Sequence, residues 1–199
     1  MTKFIFDLDG TITKEETLPL ISKHFGIEKE IDSLTEQTVK GNIPFIESFI
    51  QRVYILSKLP VDEVSSLLEK TEVYEKVVKF IREHSQDCFV ATGNLECWVK
   101  SLAQKIGCVC YFSDSIVEDN HVQKLTRILK KENIVQKFKA ENERVVFIGD
   151  GNNDVEAMRL ADVSIASGLT HIPANSVLSV ANYSVFSEEA LCRQLNQLL

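Results

Sequence analysis

Residues 4–13 read F-I-F-D-L-D-G-T-I-T, and this stretch decides the fold of the 199-residue chain. An apolar run, Phe4–Phe6, ends in two carboxylates, Asp7 and Asp9, with Gly10 directly after them. A short apolar run bounded in this way predicts a central parallel strand that is buried on both faces. Carboxylates this close repel each other, and burying either one unpaired is costly. We therefore expect a positive charge or a proton-transfer function at the end of this strand.

The composition is that of an ordinary globular protein, with 44% apolar and 26% charged residues. The net charge of −7, with no basic cluster between aromatic residues, argues against a nucleic-acid partner. No apolar run reaches the roughly 18 residues that a membrane span needs, and the N-terminus has no signal-peptide pattern. The five cysteines show no C-x-x-C spacing. We therefore expect a cytoplasmic protein without a nucleic-acid or membrane partner.

The segment after the first strand predicts a helical insert. Apolar residues recur there at three- and four-residue spacing, and glycine and proline residues divide the segment into several helices. We predict a small helical cap, residues 15–71, inserted into a core made of residues 1–14 and 72–199. An insert of this size is large enough for a lid and too small for an independent core.

After the insert, helical and strand patterns alternate. We predict strands near Cys88–Ala91, Val109–Phe112 and Arg144–Ile148, and a helix over Val122–Glu132, where apolar residues have helical spacing. This alternation predicts an α/β fold, a doubly wound and mostly parallel sheet with helices on both faces. In such sheets the functional residues gather beyond the carboxyl ends of the strands.

Polar residues at the predicted strand ends have the chemistry of a phosphate site. Asp7 and Asp150 can converge on Mg²⁺, which prefers oxygen ligands and is usually bound by one or two carboxylates. Gly93 lets backbone N–H groups approach an anion, and Thr92 adds a hydroxyl donor. Lys124 would open the predicted helix and supply a fixed positive charge. Together these groups predict a metal-assisted site that stabilises developing negative charge.

The two N-terminal aspartates would take different roles in that site. A carboxylate beside Mg²⁺ stays ionised and can attack phosphorus, which assigns Asp7 as the nucleophile. A second carboxylate farther from the metal can protonate the leaving alkoxide and then activate water. This role assigns Asp9 as the general acid and base.

Each of these motifs also has an ordinary structural explanation. Asp-Gly is a common turn dipeptide, and Thr-Gly-Asn and Gly-Asp-Gly-Asn-Asn are common in loops. Lys124 lies near other lysines that we interpret as a solvated face: Lys130, Lys131, Lys137 and Lys139. The functional interpretation depends on the ordered set, with each member at the same end of a parallel strand.

The ordered set resembles the motifs of the haloacid dehalogenase superfamily of phosphotransferases. Phe4–Thr11 is similar to the first motif, hhhhDxDx[TV], and Phe89–Gly93 to the second, hhh[ST]G. Lys124 matches the lysine motif, and Gly149–Asp154 matches the fourth motif, GDxxxD. Aspartates at both acidic positions of the first motif are the phosphatase version. The resemblance implies a Rossmann-like core and a Mg²⁺ cofactor.

The resemblance also implies site residues. The implied metal ligands are Asp7, Asp150 and the backbone carbonyl of Asp9. The implied phosphate-binding residues are Thr92, Gly93, Lys124 and Asn153. Asp154 would orient the metal-bound waters or the lysine.

Within that superfamily the chain resembles the phosphoserine phosphatases. Asp7–Thr17 reads D-L-D-G-T-I-T-K-E-E-T, and Phe25–Leu56 is similar to their helical lid. The resemblance implies that Glu16 recognises the substrate amine and Arg52 its carboxylate, with Phe45 closing over the substrate.

The chain departs from the family pattern at three places after the second motif, one of them residues 167–173, S-G-L-T-H-I-P, where the family has a loop with a basic residue and a proline. Asn94 stands where the family has a second glycine. The segment between Thr92 and Lys124 is shorter than usual, which indicates that a hairpin near Ser113–His121 is absent.

These observations predict a Mg²⁺-dependent phosphomonoester hydrolase that forms a phospho-Asp7 intermediate, with O-phosphoserine as the favoured substrate. Another small amino-acid-like or amino-alcohol phosphate, and phosphate transfer to an acceptor alcohol, remain open. Two non-enzymatic alternatives are a phospho-accepting receiver-like domain and a silent interaction module. The helical insert and Asp9 argue against a receiver, which needs neither a lid nor a leaving-group acid.

Overall fold

The computed structural model describes residues 1–39 and 42–199. Within these residues seven strands form one sheet: β1 (Thr2–Phe6), β2 (Cys88–Leu95), β3 (Val109–Glu118), β4 (His121–Arg127), β5 (Arg144–Gly149), β6 (Val163–Ser167) and β7 (Tyr183–Val185). The strand order is β4-β3-β2-β1-β5-β6-β7. Every neighbouring pair is parallel except β3 and β4, which are antiparallel. The predicted α/β fold with a mostly parallel sheet is confirmed.

The helices of the described residues are α1 (Thr17–Phe25), α2 (Glu28–Val39), α3 (Phe45–Leu56), α4 (Val61–Leu68), α5 (Glu75–Glu83), α6 (Glu96–Ile106), α7 (Lys131–Ala140), α8 (Val155–Leu160), α9 (Asn175–Leu178) and α10 (Glu188–Leu198). Helices α1 to α4 follow β1 directly, in the segment for which a cap is predicted. None of the described helices combines the length and the apolar character that crossing a membrane requires.

Strand β1 is the centre of the sheet, between β2 and β5. Successive side chains of a strand point to opposite faces, and here both faces are covered. Phe4 and Phe6 pack in one apolar cluster with residues of α5, α6 and α10, whereas Ile5 packs in a second cluster with residues of α7 and α8. All three side chains are fully buried. This two-sided burial explains why the run is continuously apolar, and it ends with Asp7 at the carboxyl edge.

Two predictions about the segment after β3 are wrong. Residues Val122–Glu132 do not form one helix, because β4 covers most of the segment and α7 begins only at Lys131. The hairpin that the family resemblance suggested was absent is present as β3 and β4. Its turn residues Asp119 and Asn120 both have positive φ, at 48° and 63°, which is the backbone of a tight hairpin turn.

The hairpin is held by contacts with the segment predicted to be the cap. The backbone N–H of Val61 donates to Asn120 O at 2.8 Å, and the N–H of Asp62 donates to Asn120 Oδ1 at 3.1 Å. Two donors of the first turn of α4, which have no partner within their own helix, are satisfied in this way. Val122 of β4 is buried in the cluster that also contains Leu56 of α3. These long-range contacts outweigh the helical spacing of the local sequence.

Candidate active site

Polar side chains from the carboxyl ends of β1, β2 and β5 line a cavity of about 120 Å³ together with residues at the start of α1 and on α3. Many of the residues proposed from the sequence line it: Asp7, Asp9, Glu16, Arg52, Gly93, Asp150 and Asn153. The parallel sheet brings these residues together because the carboxyl ends of its strands lie at one edge.

Asp7 is a buried carboxylate in a strongly negative environment. The backbone N–H of Leu8 donates to its Oδ1 at 2.8 Å, and Lys131 Nζ lies 2.6 Å from the same oxygen. Burial, followed by repulsion from Asp154, raises the pKa of Asp7 well above its usual value, and Asp150 and Asp9 act in the same direction. Lys131 acts in the opposite direction and lowers that pKa.

Lys131, and not Lys124, is the lysine of the site. Its side chain is 2% exposed, and its Nζ lies 2.6 Å from both Asp7 Oδ1 and Asp154 Oδ1. Burial alone would lower the pKa of Lys131, but Asp154 and Asp7 outweigh it and raise that pKa above the usual value. Lys124 lies exposed on β4, opposite Ile116 of β3. The prediction of Lys124 is wrong because the helix that it was meant to open is a strand.

Asp154 holds the lysine and the loop after β5 in place. Its Oδ1 accepts from Lys131 Nζ, and its Oδ2 accepts from the backbone N–H groups of Asp150 and Gly151 at 3.1 and 3.0 Å. Because both of its oxygens already accept hydrogen bonds, Asp154 is suited to orienting the lysine. The sequence assigned it this kind of role, but toward Lys124.

The carboxylates can also hold a metal ion. Asp7, Asp150 and Asp154 are all buried, and one oxygen from each lies within 4.8 Å of the others. Both oxygens of Asp154 already accept hydrogen bonds from Lys131 and the loop, which leaves Asp7 and Asp150 as the residues of this group that could hold the ion. An all-oxygen donor set with excess negative charge fits a hard divalent cation. Such a cation would offset the repulsion among these carboxylates.

Gly10 leaves space for this cluster. Its φ is +71°, and a Cβ on it would lie 2.8 Å from Glu16 Oε1 and 3.0 Å from Asp150 Oδ2. A side chain here would therefore meet both backbone strain and carboxylate oxygens. The next residue, Thr11, donates its hydroxyl to Asp150 Oδ1 at 2.7 Å and fixes that carboxylate.

Asp9 is surrounded by hydrogen-bond donors. The hydroxyl of Thr17 donates to its Oδ1, and the backbone N–H of Thr17 donates to the same oxygen at 3.2 Å. The hydroxyl of Thr92 donates to Oδ2 at 3.3 Å. Asp9 therefore has neutral partners, whereas Asp7 has a lysine. This difference in surroundings suits the separate roles proposed for the two aspartates.

Gly93 and Asn153, which the family resemblance implies for phosphate binding, lie on the cavity wall. A Cβ added to Gly93 would meet no atom within 4 Å, so the backbone at this position faces open space. An anion can therefore approach its backbone closely. Thr92 is fully buried beside Gly93, and its hydroxyl bonds to Asp9.

The cap segment contributes opposite charges to the same cavity. Arg52 of α3 is half-buried, and its Nε and Nη2 donate to Ser48 Oγ at 3.2 and 3.0 Å. Burial lowers the pKa of Arg52, and the charge of Glu16 opposes this effect. Phe45 is the first residue of α3, but its side chain lies outside the described part of the chain.

His171 was not proposed from the sequence. Its Nε2 lies 2.8 Å from Glu16 Oε1 and 3.1 Å from Asp150 Oδ2. The hydrogen bonds with Asp150 and with Glu16 raise the pKa of His171 to about 11. The only sequence signal is that residues 167–173, S-G-L-T-H-I-P, stand where the family has a loop with a basic residue and a proline.

The sequence is similar to those of known proteins. A family model described as haloacid dehalogenase-like hydrolase matches residues 2–162. A phosphoserine phosphatase of Methanocaldococcus jannaschii is 28% identical over 178 residues, which cover 81% of this chain and 83% of that protein. A phosphoserine phosphatase of Saccharomyces cerevisiae is 28% identical over 179 residues, covering 82% of this chain and 58% of that protein.

Solved structures show the same architecture. A substrate-bound phosphoserine phosphatase complex superposes with a TM-score of 0.82 at 22% identity, covering all of this chain and 99% of that one. A phospho-aspartyl intermediate analogue of phosphoserine phosphatase superposes with a TM-score of 0.80 at 22% identity, covering 98% and 99%. At this level of identity the superpositions establish the fold.

Proposed function

The chain belongs to the haloacid dehalogenase-like hydrolases, and from this premise we propose that it hydrolyses O-phosphoserine through a phospho-Asp7 intermediate, with Mg²⁺ as its cofactor. The observation that carries the proposal is the pair of aspartates at one cavity with different partners. Asp7 contacts Lys131, whereas Asp9 contacts the hydroxyls of Thr17 and Thr92. One carboxylate is thus placed among charges and the other among neutral donors.

Asp7 is the proposed nucleophile. The N–H of Leu8 and the Nζ of Lys131 both contact Oδ1, and together they hold the carboxylate in one orientation at the cavity. Attack on phosphorus forms an acyl phosphate on Asp7 and releases serine, which splits a difficult hydrolysis into two easier steps. Lys131, Gly93 and Asn153 are the proposed partners of the phosphoryl oxygens.

Asp9 is the proposed general acid and base. In the first step it donates a proton to the leaving serine oxygen, and in the second it takes a proton from the water that attacks phospho-Asp7. The proton that leaves Asp9 in the first step is regained in the second. The carboxyl group is therefore ready for the next cycle without an external proton donor.

Mg²⁺ would be held by the carboxylates of Asp7 and Asp150 and by the backbone carbonyl of Asp9. When bound, the ion offsets the charge of the carboxylates and of the phosphate group, which would otherwise repel each other. Thr11 keeps Asp150 in position for this role through the 2.7 Å hydrogen bond to Oδ1.

The substrate proposal depends on Glu16 and Arg52, which add opposite charges to one small cavity. A guanidinium offers two parallel donors to a carboxylate, and a glutamate is the natural partner of an ammonium group. A zwitterionic phosphate such as O-phosphoserine carries both groups. The phosphoserine phosphatases among the relatives support this choice.

Phosphate release from a panel of small phosphomonoesters, with and without Mg²⁺, tests the reaction itself. We expect O-phosphoserine to be hydrolysed fastest, and we expect a chelator to abolish the activity and added Mg²⁺ to restore it. The absence of phosphate release from any ester at saturating Mg²⁺ would refute the proposal. Equal rates with and without the metal would refute the cofactor assignment.

Arg52→Ala tests the substrate assignment. We expect the variant to lower kcat/KM for O-phosphoserine by about 10- to 100-fold, because a charge-assisted hydrogen bond contributes about 1.5–3 kcal/mol. O-phosphoethanolamine is the matched substrate, because it has the same amine and phosphate but lacks the carboxylate. Its kcat/KM should change by less than about threefold, within the range of about 0.5 kcal/mol. Equal losses for the two esters would show that Arg52 does not recognise the carboxylate.

A further inference from the structure

We propose that Asn94, acting through Thr17, is a positioning residue for the general acid Asp9; the inference rests on the proposed function. Asn94 lies at the carboxyl end of β2, lines the cavity and is 5% exposed. Its Nδ2 donates to Thr17 Oγ1 at 2.6 Å and lies 3.5 Å from Asp9 Oδ2. It therefore contacts the groups that surround Asp9.

The orientation of the Asn94 amide is determined by its neighbours. The backbone N–H of Leu95 donates to Asn94 Oδ1 at 3.1 Å, so the carbonyl end of the amide faces a donor. The NH₂ end must then face Thr17 and Asp9, where it meets oxygens. A flipped amide would place the NH₂ group against an N–H group and the carbonyl oxygen against the Asp9 carboxylate.

This orientation fixes the direction of the hydrogen-bond chain. Because Asn94 donates to Thr17 Oγ1, the Thr17 hydroxyl is free to direct its own hydrogen at Asp9 Oδ1. Each hydrogen bond in such a chain polarises the next. The backbone N–H of Asn94 also donates to Thr92 Oγ1 at 3.1 Å, and the Thr92 hydroxyl points in turn to Asp9 Oδ2. The Asn94 side chain thus directs a donor toward Asp9 Oδ1, and its backbone N–H, which any residue would provide, directs a second donor toward Oδ2.

This chain of hydrogen bonds joins two parts of the molecule. Thr17 is the first residue of α1, which opens the helical insert, whereas Asn94 and Thr92 belong to β2 of the sheet. Thr17, Thr92 and Asn94 are all buried, so water does not easily substitute for a lost donor. Loss of the Asn94 amide would leave the Thr17 hydroxyl free to rotate and would remove the contact at Asp9 Oδ2, so that Asp9 would be held less firmly toward the leaving oxygen, by the Thr17 N–H and the Thr92 hydroxyl alone.

Leaving-group dependence in Asn94→Ala tests this inference. Serine is a poor leaving group that needs a proton from Asp9, whereas p-nitrophenolate leaves without one. We expect the variant to lower kcat/KM for O-phosphoserine about tenfold, the effect of one hydrogen bond worth about 1.4 kcal/mol. We expect a change of less than about twofold for p-nitrophenyl phosphate, whose phosphate group binds to the same residues.

Variants of Thr17 and of a surface asparagine complete the design. Thr17→Val should reproduce the selective loss, and Thr17→Ser, which keeps the hydroxyl, should recover most of it. The double variant Asn94→Ala/Thr17→Val should be no worse than the worse single variant, because both break one chain. Asn133→Ala, an exposed position on α7, should leave both substrates unaffected.

Two kinetic results would overturn the inference. An equal loss on both substrates would indicate general damage to the site, and an increase in KM with unchanged kcat would make Asn94 a substrate-binding residue. If the wild-type protein hydrolyses neither ester, the proposed function fails, and a crystal structure of Asn94→Ala decides the inference. A reoriented or multiply oriented Asp9 carboxylate would support it, and an unchanged, fully ordered one would refute it.

Discussion

Asp7→Asn is expected to abolish phosphate release from O-phosphoserine. The amide cannot attack phosphorus, and no covalent intermediate can form on it, so the rate should fall by about five orders of magnitude or more. The measurement is phosphate release at saturating Mg²⁺, together with acid quenching of the protein after incubation with substrate labelled on phosphorus. We expect labelled protein with the wild type and none with the variant.

Asp9→Asn is the informative contrast, because it keeps the nucleophile and removes the acid and base. With p-nitrophenyl phosphate it should still become labelled, and it should retain the label longer than the wild type because the attacking water is not activated. Asp7→Ala guards against slow conversion of the asparagine back to aspartate. Labelling of Asp7→Ala to the wild-type level would place the covalent step on another residue.

Lys131→Met is expected to lower phosphate release by about 100- to 1000-fold, the usual effect of removing one group that stabilises developing charge. It should also lower the free energy of unfolding without metal by about 3–5 kcal/mol, because Asp7 and Asp154 would share a buried site without their cation. Urea unfolding with and without Mg²⁺ measures the second effect. Mg²⁺ should restore part of the stability, since it compensates the same carboxylates.

Lys124→Met is the matched control, since Lys124 is the lysine that the sequence pattern favoured. Its side chain is exposed on β4, so activity should stay within about twofold of the wild type and stability within about 0.5 kcal/mol. The reverse result, a large loss of activity in Lys124→Met and none in Lys131→Met, would show that the lysine of the site is misassigned.

Much of the site could be predicted because its residues follow strands that the local pattern identifies. The run Phe4–Phe6 is apolar over its whole length, as expected for a strand with helices on both faces, and Asp7 comes directly after it. Asp150 follows β5 in the same way, and Thr92 lies near the carboxyl end of β2. The carboxyl ends of parallel strands lie at one edge of the sheet. Once these strands are correctly predicted, the residues that follow them are therefore predicted to lie close together.

The residues that could not be predicted lie in loops or depend on partners far away in the chain. His171 comes within 3.1 Å of Asp150 because the loop after β6 turns back over the site, and no short-range pattern specifies that path. Asn94 stands out in the sequence only as a departure from a family glycine. The partner of its amide is Thr17, which lies 77 residues away in the chain, and no local pattern specifies that contact.

The sequence by itself determined the mostly parallel α/β class, the central strand and the two aspartates that follow it, because each depends on the spacing of apolar residues over a few positions. The tertiary structure decided which lysine enters the site. Val122, Leu125 and Leu129 have a spacing that suits a helix, but pairing with β3 and contact with the insert make the first part of this segment a strand. The helix therefore begins later, and Lys131 at its first position reaches Asp7.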